Sequence, residues 1–250
     1  MKRLIAFDLD GTLAESKLLI DAETANLVAA LLARVSVAII SGGDWPQFQN
    51  QVLSRLPPNA ALQPLFILPT TGTKLYHYED GWRAAFADVF SDKERKSIIA
   101  VLDESVESAG LHETRIWGER IEDRGSQITF SGLGQLAPLS AKIEWDPDFA
   151  KRKKLQTLLR KSLPTLPVNI GGSTSIDITR SGVDKAYGMQ RLSTWSGIPF
   201  SAMLFLGDAL FPGGNDYPVR EAGIDTISVR DVIETRTAIT ALVAVMRPLK

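Results

Sequence analysis

The sequence predicts an α/β protein, with a parallel-sheet core interrupted by an inserted α+β domain, on three observations. Short apolar runs at 4–9, 35–40, 203–206 and 226–229 have the composition of strands covered on both faces. The first two flank an amphipathic helical pattern, the strand-helix-strand order of a parallel sheet. From about 82 to 179 the pattern changes to helix, alternating strands, basic helix and a further strand pair, and then the buried-strand signature returns.

Taken in order, residues 4–9 form the first strand. Residues 18–33 carry Leu19, Leu27, Val28, Leu31 and Leu32 among good helix formers. The second strand, 35–40, ends at Ser41-Gly42-Gly43. A helix over 47–55 is broken by Pro57-Pro58, and 65–68 is a third strand. The inserted part reads as a helix over 92–109, strands over 115–121 and 127–133, and a basic helix over 149–163. Its charges Lys151, Arg152, Lys153, Lys154, Arg160 and Lys161 are expected on a solvated face. Another helix starts at Lys185 and runs through Leu192, before the strands at 203–206 and 226–229.

Composition narrows the chemistry. At 250 residues the chain can bury a real core, and 44% hydrophobic with 23% charged residues is ordinary globular composition. A formal charge of -1 offers no bulk attraction to nucleic acid. Asp8 and Asp10 interrupt the first apolar run too early for a signal peptide, and no stretch reaches the roughly 18 apolar residues of a membrane span, so a cytoplasmic protein without a membrane partner is expected. With no cysteine and two histidines, His77 and His112, carboxylates must do the acid, base and metal work. The five tryptophans read as packing residues, Trp45 standing nearest the Ser41 turn.

Ligands of open parallel sheets bind beyond the carboxyl ends of the strands. Those ends here are Asp8-Leu9-Asp10-Gly11-Thr12, Ser41-Gly42-Gly43-Asp44 and Gly207-Asp208. Asp8, Asp10 and Asp208 are therefore expected at one edge, where their mutual repulsion calls for a hard cation such as Mg²⁺. Ser41, with the backbone N–H groups around Gly42 and Gly43, can cradle a phosphoryl oxygen.

The run Asp8-Leu9-Asp10-Gly11-Thr12-Leu13 resembles the nucleophile motif of the haloacid dehalogenase superfamily, and Ser41, Lys185 and the Asp208/Asp216 pair follow in that family's chain order. The resemblance implies that Asp8 attacks phosphorus and Asp10 acts as acid and base. It also implies that Asp8, the Asp10 carbonyl and Asp208 hold Mg²⁺, that Lys185 neutralises the phosphate, and that Asn215 and Asp216 orient metal-bound water or Lys185. The long loop 207–216, Pro69-Thr70-Thr71-Gly72, and 171–177 ahead of Gly182-Val183-Asp184-Lys185 are similar to the eukaryotic-type phosphomannomutases. That similarity implies a Rossmann-like core over 1–82 and 180–250, a mobile cap over 83–179, and a homodimer formed through the caps.

In that family cap arginines grip the far phosphate of the sugar, and a serine and an aspartate touch the sugar. Arg124, Ser175 and Asp177 match; Gln135 and Lys142 stand where further arginines are expected, and Lys17 replaces a core-loop arginine. Glutamine lacks the charge and lysine the planar fork of arginine. The weakened clamp favours hydrolysis of a sugar phosphate or similar phosphomonoester. The alternative is mutase interconversion of hexose 6-phosphate and hexose 1-phosphate.

Overall fold

The computed structural model describes residues 2–15 and 18–247, the side chain of Leu139 excepted; Lys17 lies outside the described residues. Residues up to Ala87 and from Val183 onward form one compact unit, and Asp88–Gly182 a second.

The first unit contains β1 (Leu4–Asp8), α1 (Ala22–Leu32), β2 (Ser36–Ile40), α2 (Trp45–Gln51), β3 (Leu65–Leu68), β4 (Lys74–Glu79) and β5 (Gly81–Ala87). The second contains α3 (Asp92–Ala109), β6 (Ile121–Asp123), β7 (Gln127–Ser131), α4 (Leu139–Trp145), α5 (Ala150–Ser162), β8 (Val168–Gly171) and β9 (Ser175–Thr179). The chain then returns to the first unit with α6 (Lys185–Ser196), β10 (Met203–Gly207), α7 (Tyr217–Glu221), β11 (Asp225–Ser228) and α8 (Val232–Val245).

Among the described residues the first unit holds a seven-stranded sheet in the order β11-β10-β1-β2-β3-β4-β5. The pairings from β11 to β3 are parallel. Every residue of β1 is buried, because it lies at the centre with side chains packed on both faces. Ile5 and Phe7 join one apolar cluster, Leu4 and Ala6 the other. The antiparallel hairpin β4-β5 at the edge was not expected. The one local signal for it was the turn pair Asp80-Gly81, with Gly81 at a φ of +147°.

Two boundaries moved for local reasons. Helix α1 begins at Ala22 rather than near 18, because the Asp21 side chain accepts the Thr24 N–H at 2.9 Å and caps it there. The strand expected over 115–121 is reduced to β6. Gly118, at a φ of +74°, breaks the alternation, and the backbone of Trp117 donates to Leu133 in an irregular loop.

The second unit holds an antiparallel sheet ordered β6-β7-β9-β8. Ile128, Phe130, Ile176 and Ile178 turn one face into a core with Leu102 and Val106 of α3 and Leu155 and Leu159 of α5. Period-two alternation sends Gln127, Thr129, Ser175 and Asp177 to the opposite face.

The solvated face expected of the basic helix is only partly that. Arg152 is 2% exposed. Its Nε donates to Asp146 Oδ2 at 2.7 Å and its Nη1 to the Gly172 carbonyl at 2.6 Å, so it ties α5 to the turn between β8 and β9. A charge run records polarity but not which member finds a buried carboxylate, and Asp146 is that partner.

Candidate active site

Three carboxylates and one ammonium meet at the carboxyl end of the parallel sheet. Asp8 is the last residue of β1, Asp208 follows β10 directly, and Asp216 ends the long loop ahead of α7. Each offers an oxygen lying within 4.8 Å of the others. Lys185, the first residue of α6, donates to Asp8 Oδ1 at 2.5 Å and to Asp216 Oδ1 at 2.6 Å. Its place is set by the N-cap Asp184, which accepts the Tyr187 N–H, and by the contact of Gly188 with Gly72. A Cβ on Gly72 would sit 2.2 Å from the Gly188 Cα, so only glycines let α6 approach this closely. Asp216 is anchored in turn, its Oδ2 accepting the Ala209 N–H at 3.0 Å.

Burial governs the electrostatics. It pushes the Asp8 carboxyl up to about 7; Lys185 pulls against this and the charge of Asp216 adds to it. Burial likewise opposes the charge on Lys185, but Asp8 and Asp216 outweigh it and hold the ammonium above the ordinary lysine range. Lys185 therefore stays charged and partly compensates the acidic cluster. Asp208 lies beside the turn at Thr12, whose Oγ1 donates to its Oδ1 at 3.5 Å.

Ser41 follows β2 and is buried; its Oγ accepts the Gly43 N–H at 3.3 Å, leaving the hydroxyl proton to point elsewhere. Gly42 and Gly43 continue this turn into the N-cap Asp44 of α2. The stack of Trp45 on Tyr76, with centroids 4.1 Å apart, packs α2 against β4. The Asp10 side chain accepts from Gln47 and Gln51 of α2. Asn215 is exposed, in the turn immediately before Asp216.

The remaining predicted residues belong to the second unit. Asp177 and Ser175 share one face of β9, opposite Thr129 and Ser131 of β7. Asp177 Oδ1 accepts from Thr129 Oγ1 at 2.7 Å and from Gln127 Nε2 at 2.9 Å. Arg124, in the turn between β6 and β7, donates to Glu122 Oε2 at 2.6 Å. Lys142, on α4, donates to the Gln135 carbonyl at 3.2 Å.

The family model described as eukaryotic phosphomannomutase matches residues 24–244. The chain belongs to the eukaryotic phosphomannomutase family. It is 25% identical over 222 residues to the phosphomannomutase of Saccharomyces cerevisiae, an alignment covering 86% of this chain and 84% of the yeast protein. It is also 25% identical over 243 residues to phosphomannomutase 1 of Homo sapiens, covering 92% and 89%. A solved haloacid dehalogenase-like hydrolase from Bacteroides thetaiotaomicron superposes with a TM-score of 0.67 at 16% identity, covering 97% of this chain and all of that one, a likeness of fold.

Within this phosphomannomutase-family chain, several polar partners escaped the sequence reading. Gln47 and Gln51 reach Asp10, Gln127 and Thr129 reach Asp177, and Glu122 reaches Arg124. The one available signal was spacing, since Gln47 and Gln51 stand four apart on a helix and Gln127 and Thr129 two apart on a strand.

Proposed function

We propose that Asp8 takes a phosphoryl group from a phosphorylated hexose and that the enzyme returns it to the sugar as a mutase. The cluster of Asp8, Asp208 and Asp216 around Lys185 supports the transfer chemistry, and family membership over most of the chain supports the mutase. A buried carboxylate facing a fixed ammonium at a strand end is suited to in-line attack on phosphorus. In this reading an Asp8 oxygen bonds to phosphorus as the ester P–O bond breaks. Asp10 gives its proton to the departing alkoxide and later takes one from the incoming hydroxyl. Lys185 and the Ser41 hydroxyl stabilise the phosphoryl oxygens.

The donor set fits Mg²⁺: it is all oxygen, and three carboxylates converge with one ammonium between two of them. Asp8 and Asp208 would hold the ion, with the Asp10 carbonyl and Asp216 beside them. When bound, Mg²⁺ supplies charge neutralisation between the phosphate and the attacking carboxylate. Chelation is expected to abolish turnover and added Mg²⁺ to restore it, with Asp208→Ala raising the Mg²⁺ concentration needed for half-maximal rate. Full activity after exhaustive chelation would contradict the site.

Hydrolysis is the second reading, and specific observations favour it. Gln135 stands at an expected arginine position, Lys142 is engaged by the Gln135 carbonyl, and Arg124 is paired with Glu122. Of this set, one position carries no charge, one carries a lysine without the planar fork, and the one arginine is paired with a carboxylate, which leaves a far phosphate a weaker grip. Assay of a hexose 1-phosphate with catalytic bisphosphate separates the two. Interconversion faster than release of inorganic phosphate is expected; the reverse ratio establishes the phosphatase. In that case Gln135→Arg should increase mutase flux, and Arg124→Ala should cost less than Asp177→Ala.

A further inference from the structure

We propose that Gln51, together with Gln47, positions the Asp10 carboxyl group for proton transfer to the leaving oxygen, making α2 part of the acid–base apparatus. The inference rests on the phosphoryl-transfer reading above and adds residues that neither the motif nor the family resemblance singled out.

Gln51 is the last residue of α2 and only 2% exposed, next to the core residues Phe48 and Val52. Its Nε2 donates to the Leu18 carbonyl at 2.6 Å and to Asp10 Oδ1 at 3.4 Å. A carbonyl can only accept, so Leu18 decides which end of the amide faces inward, and the second N–H of the same nitrogen is left for Asp10. One turn earlier, Gln47 Nε2 donates to the other carboxyl oxygen, Asp10 Oδ2, at 3.2 Å. The two glutamines thus hold both oxygens of Asp10 from a single helix face. Gly43 makes room for this arrangement, since a Cβ there would lie 2.0 Å from Gln47 Oε1.

Packing alone does not account for Gln51. Its Oε1 is buried without a hydrogen-bond partner among the described residues, a cost that an apolar side chain of similar size would avoid. What the amide provides in return is an N–H that bonds the Leu18 carbonyl and another that reaches the carboxyl group expected to move protons. The backbone reinforces the registration, because the Gln51 carbonyl accepts the Ile20 N–H at 2.9 Å and ties the segment after Asp10 to the end of α2.

The chemistry supplies a selective readout. When the Asp8–phosphorus bond forms and the ester bond breaks, its electron pair goes to the leaving oxygen. An alkoxide needs the Asp10 proton, whereas a nitrophenolate leaves without it. Gln51→Met and Gln47→Met keep volume and remove the donors. The test measures first-turnover phosphoryl transfer across a series of phosphomonoesters from p-nitrophenyl to hexose 6-phosphate, with thermal melting as the fold control. Transfer from the alkyl phosphate is expected to fall about 10- to 100-fold, a part of what a general acid contributes, while the nitrophenol burst falls less than about threefold and the alkyl KM is little changed. Equal loss across the series, or no loss, overturns the proposal. Gln47 is half-buried, so its variant carries the test if Gln51→Met does not fold. Asp8→Asn run in parallel separates the failures. Transfer that survives in Asp8→Asn, or a wild type silent on the whole series, defeats the functional reading; a silent Asp8→Asn beside uniform losses in the glutamine variants defeats only the positioning role.

Discussion

Asp8→Asn is expected to lower kcat by at least about three orders of magnitude while the protein still folds. The amide is nearly isosteric with the carboxyl group but cannot form an acyl phosphate. Lys185 keeps Asp216 as its partner at 2.6 Å, so the buried ammonium is not stranded. Activity would be followed as phosphate release and sugar-phosphate interconversion, and folding by circular dichroism and thermal melting. Turnover within about tenfold of wild type would exclude covalent catalysis by Asp8.

Lys185→Met should abolish activity and also weaken the fold, which Asp8→Asn should not. The ammonium is the shared partner of two carboxylates whose side chains are 6% and 0% exposed. Removing it leaves two buried acids facing each other, and breaking one buried pair from one side costs about 3–5 kcal/mol. Urea unfolding in chelator measures the loss. Lys185→Met/Asp216→Asn should recover part of that stability without recovering activity, because one stranded charge is gone while the phosphate's counter-charge is still missing. If the single variant were as stable as wild type, the ion triad would contribute nothing to folding. If the double variant regained turnover, Lys185 would have no role at the phosphate.

The family membership bears on the choice between hydrolysis and mutase chemistry. The weakened arginine set led the sequence reading toward hydrolysis, whereas the relatives that match over most of the chain carry the mutase name. Gln135, Lys142 and Lys17 at expected arginine positions weaken a phosphate grip, by an amount that sequence does not weigh against donors such as the Gln135 amide.

Much of the fold was legible because its strands are apolar on both faces and short, so that composition alone marks β1, β2, β3 and β10. The hairpin β4-β5 was not, for half-buried edge strands mix Tyr, His, Arg and Ala with no clean alternation. Asp8, Ser41 and Asp208 could be read because each terminates a buried strand, and a parallel sheet aligns those ends. Lys185 and Asp216 needed the motif's chain order.

Strand order along the chain and the acids at the strand ends thus determined the α/β class, the meeting of Asp8 and Asp208 at one sheet edge, and the family. Only the packed chain decided which charges pair. Arg152 meets Asp146 inside the second unit while Lys153 and Lys154 beside it are exposed, and the Asp10 carboxyl is held by two glutamines, not by the lysine that joins Asp8 to Asp216. Such pairings depend on distances of a few ångströms between segments far apart in sequence, and periodicity within a segment carries no information about them.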